Sequence, residues 1–129
     1  MTAKDRVLLL VEDDAAMRSL ICDELWDMGF RITEAADGDE ALRRISEVPP
    51  DIILTDLRMP AGGLDYVCRL RTVAPGCPII LMTAFGDATT KVEAQRCGVS
   101  VYFDKPVRMD ELKAAIRDLL NSHAGSPDH

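Results

Sequence analysis

Polar side chains that could act on a charged substrate follow four short apolar runs of this 129-residue chain. Glu12 and Asp13 follow the first run, Asp56 ends the central run, Thr83 ends a later run, and Lys105 follows the last. Short continuous apolar runs are typical of strands buried on both faces of a parallel sheet. Taken alone, Asp56 could equally be a helix N-cap or turn residue. Because the carboxyl ends of parallel strands share one edge, we expect all five side chains to surround one crevice.

The charge in this predicted crevice indicates a divalent cation. Two carboxylates about 4 Å apart repel by about 4 kcal/mol at an effective dielectric near 20, so Glu12, Asp13 and Asp56 require a compensating charge. Carboxylates, a carbonyl and several waters are the ligands that Mg²⁺ prefers, and Mg²⁺ held in this way usually acts on a phosphate. Asp56 is then the natural nucleophile for a phosphoryl group, with Thr83 and Lys105 binding its oxygens.

Five strands that alternate with five helices would position these groups. Apolar runs predict strands at 7–11, 31–35, 52–56, 77–82 and 101–103, beginning about every 21 to 27 residues. Apolar residues recur at helical spacing within 17–28, 41–45, 64–70 and 112–120, and a more polar helix is expected at 87–97 with Gly98 as its cap. The half-polar run at 31–35 suits an outer strand. The pattern predicts one α/β domain over 5–122 with a parallel sheet, and flexible termini at 1–4 and 123–129.

Composition and charge exclude several kinds of partner. The chain is 47% hydrophobic and 29% charged, and its 15 basic and 22 acidic residues give a formal net charge of −7. So acidic a domain is not expected to bind nucleic acid or an anionic membrane by itself. The first apolar run is too short for a signal peptide or a membrane span, and we therefore expect a cytoplasmic location.

The four cysteines carry no recognisable pattern. Cys22, Cys68, Cys77 and Cys97 are widely separated, with no CxxC pair, and three of them fall in predicted helices. We expect small, half-buried, reduced thiols with no role in a disulfide or a metal site.

Four motifs make residues 5–122 resemble the receiver domains of two-component response regulators. They are LLLVEDDAAMR (Leu8–Arg18), ILTDLRMP (Ile53–Pro60), PIILMTA (Pro78–Ala84) and GVSVYFDKP (Gly98–Pro106). Each motif is weak alone, whereas the four in this order and spacing are specific. The resemblance implies a flavodoxin-like, doubly wound (βα)5 fold with five parallel strands in the order 2-1-3-4-5.

The resemblance also implies a role for each residue in the predicted crevice. Asp56 would accept a phosphoryl group from a histidine kinase, a phosphotransfer protein or a small phosphodonor. Asp13 would bind Mg²⁺ directly and Glu12 mainly through water, with Asp56 and the backbone carbonyl of Arg58 as further ligands. Lys105 would pair with Asp56 or with its phosphate.

Further residues match the family's switch and the surroundings of its phosphate. Phosphate would draw the Thr83 hydroxyl inward, and the ring of Tyr102 would follow it. Arg58 and Phe85 would flank the phosphate, and we hypothesise that they slow self-dephosphorylation. The bond before Pro106 is expected to be cis.

Two departures from the family pattern are visible in the sequence. The acid pair is Glu12–Asp13 rather than two aspartates, which should shift the water network more than it weakens metal binding. The loop after Pro60 is one residue shorter than usual. A third acid, Asp14, is expected to be a helix N-terminal charge rather than a ligand.

Alternative functions fit the residues less well. A haloacid-dehalogenase-type phosphatase needs a second acid two residues after its nucleophile, where this chain has Arg58. The carboxylate cluster would repel the phosphate of a flavin, and the GxxxxGK[ST] motif of P-loop enzymes is absent. One alternative stays open, which is a receiver-like protein-interaction module that works without phosphate. We expect no catalysis beyond the domain's own phosphorylation and dephosphorylation.

The sequence gives least information about output, that is, about how the domain acts on downstream partners. The resemblance implies docking or homodimerisation through the face formed by the fourth helix, fifth strand and fifth helix. No DNA-binding motif follows the last helix, so no nucleic acid is expected to bind through this domain. The sequence identifies neither the cognate kinase, nor the oligomeric state, nor whether the chain is part of a larger regulator.

Overall fold

The computed structural model describes residues 6–84 and 86–125, which form a five-stranded parallel sheet with helices on both faces. The strands are β1 (Val7–Val11), β2 (Arg31–Ala35), β3 (Ile52–Asp56), β4 (Ile79–Thr83) and β5 (Val101–Asp104). The helices are α1 (Ala15–Leu25), α2 (Gly38–Glu47), α3 (Leu64–Val73), α4 (Ala88–Arg96) and α5 (Met109–Gly125), and a short 3-10 turn, Trp26–Met28, follows α1. The strand order β2-β1-β3-β4-β5 confirms the expected flavodoxin-like topology.

Apolar side chains on the two faces of the sheet form two separate cores. Strands β1, β3 and β4 are buried along their whole length, whereas the outer strands β2 and β5 are partly exposed. One core joins the sheet to α2, α3 and α4, and the other joins it to α1 and α5. A strand covered on both faces requires an unbroken apolar run, which explains why the three central strands lack polar alternation.

Aspartate side chains fix where three of the helices begin. Asp14 accepts hydrogen bonds from two backbone N–H groups in the first turn of α1. Asp37 and Asp87 each accept one such bond, at the starts of α2 and α4. These bonds satisfy donors that have no partner within the helix. The expected position of Asp14 at a helix N-terminus is therefore confirmed, and Gly98 follows α4 with a left-handed φ of 91°.

Several element ends differ from the sequence prediction, and two of the differences have a clear cause. Strand β4 begins at Ile79 rather than Cys77, because Pro78 has no N–H to donate to a neighbouring strand. Helix α5 continues to Gly125, past the expected domain end at residue 122, since none of the residues from 121 to 124 is a helix breaker. Residues 1–4 and 126–129, which belong to the expected flexible termini, lie outside the described residues.

Cys68 of α3 and Cys97 at the end of α4 form a disulfide, so the expectation of four reduced thiols is wrong. The two helices pack on the same face of the sheet, and the Cα atoms of the two cysteines are 4.7 Å apart, within the range that a disulfide requires. A sequence separation of 29 residues gave no sign of this contact. Cys22 and Cys77 are free thiols.

The described helices are all unsuited to crossing a lipid bilayer. None of them combines the length with the apolar content that a membrane span requires.

Candidate functional site

The carboxyl ends of β1 and β3 place Glu12 and Asp56 side by side. Val11 lies opposite Thr55 in the parallel pairing of these strands, so both chains leave the sheet at the same edge. Glu12 is only 1% exposed and Asp56 only 5% exposed. The backbone N–H of Glu12 donates to the carbonyl of Ala35 at 3.0 Å, which extends the β1–β2 pairing to the site. Two of the three predicted carboxylates are thus held together below the surface.

Lys105, which follows β5, supplies the positive charge between these carboxylates. Its Nζ donates to Glu12 Oε1 at 2.7 Å and to Asp56 Oδ2 at 2.8 Å. Its backbone N–H donates to the carbonyl of Thr83 at 2.8 Å, which anchors the loop after β5 to the end of β4. The bond between Lys105 and Pro106 is cis, as expected. The lysine side chain therefore joins the ends of β1, β3 and β5.

Burial and charge act in opposite directions on this cluster. Burial is the main influence on Glu12 and raises its pKa, although the hydrogen bond from Lys105 acts in the other direction. Burial by itself would lower the pKa of Lys105, but the hydrogen bonds to Asp56 and Glu12 together outweigh it, and the pKa is raised. Lys105 therefore stays an ammonium ion that two carboxylates share.

Asp13 completes an acidic cluster at this edge of the sheet. It is exposed, and one carboxylate oxygen from each of Glu12, Asp13 and Asp56 lies within 4.8 Å of the others. Three oxygen donors at this spacing suit a hard divalent cation and offer nothing to a metal that prefers sulfur. One ammonium does not balance three acids, so a divalent cation would also neutralise the remaining charge. The donor set fits Mg²⁺.

The two carboxylate oxygens of Asp56 have different partners. Oδ1 accepts from the backbone N–H groups of Leu57 at 2.7 Å and Arg58 at 3.1 Å, whereas Oδ2 accepts from Lys105. The loop that follows is fixed by the N–H of Gly63, which donates to the carbonyl of Leu57 at 2.9 Å. The Asp56 carboxylate is therefore oriented from both sides, and the backbone of Arg58 is held beside the acidic cluster.

Thr83 ends β4, and Tyr102 lies within the adjacent strand β5, opposite Leu81. Thr83 is fully buried, and within the described residues neither its Oγ1 nor the buried Tyr102 hydroxyl has a hydrogen-bond partner. A β-carbon at Gly86 would overlap the Tyr102 hydroxyl and lie 3.0 Å from Thr83 Cγ2. Lys91 of α4 lies over the tyrosine ring, with Nζ 5.6 Å from the ring centroid. The ring thus packs against Gly86 with its hydroxyl pointing toward Thr83.

Arg58 and Phe85 are the two residues expected to flank a phosphate. Arg58 is exposed beside the cluster. The pKa of Asp87 is lowered mainly by the hydrogen bond from the backbone N–H of Thr90, and the positive charge of Arg58 lowers it further. Phe85 lies outside the described residues.

Sequence reasoning missed two supports of the acidic cluster. Arg18 Nη1 donates to the backbone carbonyl of Glu12 at 2.6 Å, which ties α1 to the end of β1. On the other face of the sheet, the buried hydroxyls of Tyr66 and Thr55 are 2.9 Å apart, and Thr55 Oγ1 donates to the carbonyl of Asp56 at 2.8 Å. The sequence held one sign of each support: Arg18 belongs to the first motif, and Tyr66 lies within the apolar stripe of α3.

Comparison with known proteins gives a consistent result. The family model described as the response regulator receiver domain matches residues 8–117. Among curated relatives, the two-component response regulator PhoP of Pseudomonas aeruginosa is 36% identical over 119 residues, which cover 92% of this chain and 53% of PhoP. The transcriptional regulatory protein GlrR of Escherichia coli is 35% identical over 129 residues, which cover 99% of this chain and 29% of GlrR. The chain thus spans about half, or less, of the length of these relatives.

Solved structures show the same fold. A CheY-like response regulator receiver domain protein from Methanospirillum hungatei superimposes with a TM-score of 0.88, covering 92% of this chain and 96% of that protein at 23% identity. The receiver domain of NtrX from Brucella abortus superimposes with a TM-score of 0.81, covering 89% of this chain and 98% of that domain at 26% identity.

Proposed function

The chain belongs to the response regulator receiver domain family, and from this we propose that Asp56 accepts a phosphoryl group in two-component signalling. The observation that carries the proposal is the buried Asp56 carboxylate, which is paired with Lys105 and lies beside two further acids. An Asp56 oxygen forms a bond to phosphorus while the bond from phosphorus to its leaving group breaks. The leaving group is the nitrogen of a phosphohistidine or of phosphoramidate, or the acyl oxygen of acetyl phosphate, and it keeps the electron pair. The product is an aspartyl phosphate.

Mg²⁺ is the cofactor that the acidic cluster would hold. Asp13, Asp56 and the backbone carbonyl of Arg58 would be direct ligands, and Glu12 would act mainly through water. Bound there, Mg²⁺ supplies charge neutralisation for the transferred phosphoryl group. The support for this assignment is the donor set, because its carboxylate oxygens lie within 4.8 Å of one another.

Lys105 and Thr83 would bind the oxygens of the transferred group. The Lys105 ammonium already contacts Asp56, so a short movement of the side chain would bring it onto a phosphoryl oxygen. Thr83 Oγ1 is a buried donor without a partner in the described part of the chain, and such a group costs about 1 to 3 kcal/mol. A hydrogen bond to phosphate would recover that cost.

Output would follow from the same threonine. A hydrogen bond to phosphate moves the Thr83 hydroxyl toward Asp56, and the Tyr102 ring packs into the space beside it. Because Lys91 contacts this ring, α4 would adjust with it, and the surface of α4, β5 and α5 would change. We propose that this surface binds a downstream protein or a second copy of the chain, and that no nucleic acid binds through this domain.

The proposal includes a sensor histidine kinase or a phosphotransfer protein as the phosphodonor, and a cytoplasmic location, where kinases use ATP. The domain includes residues 8–117, which the family model matches, and we propose that it runs to the end of α5. It is not an enzyme toward other substrates, and it catalyses only its own Mg²⁺-dependent phosphorylation and dephosphorylation. Because the matched relatives are longer than this chain, we assign no output module to it.

The experiment is intact-protein mass spectrometry after incubation with Mg²⁺ and acetyl phosphate or phosphoramidate. We expect the mass of one phosphoryl group to be gained by wild type and by Asp65→Asn, an exposed control on α3, but not by Asp56→Asn. A chelator should abolish the gain. If a folded protein neither gains mass nor binds Mg²⁺, the proposal is wrong and the domain is a docking module that does not use phosphate.

A further inference from the structure

The disulfide partners lie at a junction between two helices that is accessible to solvent. Cys68 is exposed on α3, and Cys97, which caps the C-terminus of α4, is half-buried. The thiols of the other two cysteines have raised pKa values, about 11 for Cys22 and about 12 for Cys77, and burial is the main cause of both shifts. Small oxidants react with thiolates, so these two thiols are poor targets.

Contacts other than the disulfide hold the same junction together. Arg71 of α3 donates through Nη2 to the carbonyl of Gly98 at 2.8 Å, one residue beyond Cys97. Within the turn that follows α4, the Val99 N–H donates to the carbonyl of Ala94, a residue that is fully buried against the sheet. In the dithiol form Cys97 also has an acceptor for its S–H, the Leu64 carbonyl at 3.8 Å. Reduction would therefore leave the two sulfurs next to each other, which a reversible cross-link requires.

We propose that Cys68 and Cys97 form a reversible redox-modification site whose oxidation fixes the end of α4 to α3 and restrains the switch that α4 contacts. The part of this inference that concerns the switch rests on the proposed function. In a reducing compartment an exposed pair of this kind cross-links transiently in response to oxidant, rather than serving as a permanent structural bond.

A small-molecule disulfide such as oxidised glutathione is a sufficient oxidant. The Cys68 thiolate attacks one sulfur of the reagent, and the first glutathione leaves as a thiolate. The Cys97 thiolate then attacks the Cys68 sulfur of this mixed disulfide and releases the second glutathione. The two cysteines lose two protons and two electrons in total, and the reagent takes them up as two thiols. Excess dithiol reverses the reaction.

The position of α4 explains why the cross-link would affect output. Cys97 caps the C-terminus of this helix, and Lys91 in the middle of the helix lies over the ring of Tyr102. A helix of nine residues is short, so a covalent bond at its end limits how far its middle can move relative to the sheet. The disulfide coexists with the packing of Tyr102 against Gly86, and oxidation should therefore favour that arrangement.

The first test is oxidation with a glutathione buffer, followed by non-reducing mass spectrometry of the intact chain and of its proteolytic peptides. We expect an intramolecular bond between Cys68 and Cys97 that dithiothreitol removes. Cys68→Ser should abolish the bond, and Cys22→Ser should leave it unchanged as the matched control. Absence of the bond, or its replacement by disulfide-linked dimers, would overturn the proposal.

The second test is hydrogen–deuterium exchange of peptides from 88–98 in the oxidised and reduced proteins, without phosphodonor. We expect oxidation to slow exchange about tenfold in wild type and Cys22→Ser but not in Cys68→Ser, which corresponds to about 1.4 kcal/mol of added local stability. Exchange that differs by less than twofold would refute the restraint on α4.

Adding acetyl phosphate should change exchange in these peptides less after oxidation than before, and an equal change would refute the effect on the switch. If Asp56 takes up no phosphoryl group in either form, the proposed function fails, while the measurements without phosphodonor still decide the redox site.

Discussion

Replacing Lys105 by methionine removes the charge that two buried carboxylates share. Lys105 Nζ lies 2.7 Å from Glu12 Oε1 and 2.8 Å from Asp56 Oδ2, and the carboxylate oxygens lie within 4.8 Å of each other. At that separation and an effective dielectric near 20, the two unpaired carboxylates would repel by about 3.5 kcal/mol. Glu12 can relieve part of this repulsion by taking up a proton, because burial already raises its pKa. We therefore expect Lys105→Met to lower the free energy of unfolding by about 3 kcal/mol.

Urea-induced unfolding at neutral pH with a chelator present measures this loss. Lys113→Met is the matched control, because Lys113 is exposed to a similar extent but lies 3.7 to 3.8 Å from acids that are much more exposed than those of the site. Its loss should stay below about 1 kcal/mol. Mg²⁺ should restore more stability to Lys105→Met than it adds to wild type, since it supplies the missing positive charge.

A double-mutant cycle separates this electrostatic explanation from a simple loss of packing. Asp56→Asn removes one of the two repelling charges. In the Lys105→Met background it should therefore lower the free energy of unfolding much less than Lys105→Met itself does, or raise it. If Lys105→Met costs no more than Lys113→Met, or if Asp56→Asn adds a full further loss to it, the account of the cluster as two carboxylates on one ammonium is refuted.

The remaining predictions concern the switch, the disulfide and the lifetime of the phosphate. Gly86→Ala should displace the Tyr102 ring, because a β-carbon overlaps its hydroxyl, and near-ultraviolet circular dichroism should change with a stability loss below about 1 kcal/mol. Gly76→Ala, whose β-carbon meets nothing within 4 Å, should leave the spectrum unchanged. Reducing the α3–α4 disulfide, which joins residues 29 apart, should lower the free energy of unfolding by about 3 to 4 kcal/mol in urea titrations, and no loss would contradict it. The aspartyl phosphate should persist for minutes or longer with Mg²⁺ because Arg58 flanks the site, and a half-life of seconds measured by mass spectrometry would count against that.

Local sequence pattern was sufficient to predict much of the fold. Unbroken apolar runs indicated the three central strands because both faces of these strands are covered. The half-polar run Arg31–Ala35 indicated an outer strand, and Asp14 indicated the start of α1. The errors in the bounds of these elements lie at their ends. Where an element ends depends on single residues and single hydrogen bonds, such as the N–H that Pro78 lacks, rather than on a repeating pattern.

The candidate site was predictable for a different reason. In a parallel sheet the direction of every strand is the same, so the residue that follows each apolar run must lie at one common edge. This rule was enough to place Glu12 and Asp56 together, and to suggest that Lys105 and Thr83 are near them. It could not say which atoms meet. That Lys105 contacts both carboxylates depends on the register of β5 and on the loop held by the Thr83 carbonyl.

The sequence by itself determined which chemical groups this protein carries and at which edge of the sheet they lie, because both depend on residue type and on strand direction. Only the tertiary structure decided that Cys68 meets Cys97, that Gly86 leaves room for the Tyr102 hydroxyl, and that Arg18 supports the backbone of Glu12. Each of these contacts joins different elements of the fold or a loop to a strand. They depend on how helices pack on the sheet, and spacing along the chain carries no information about that packing.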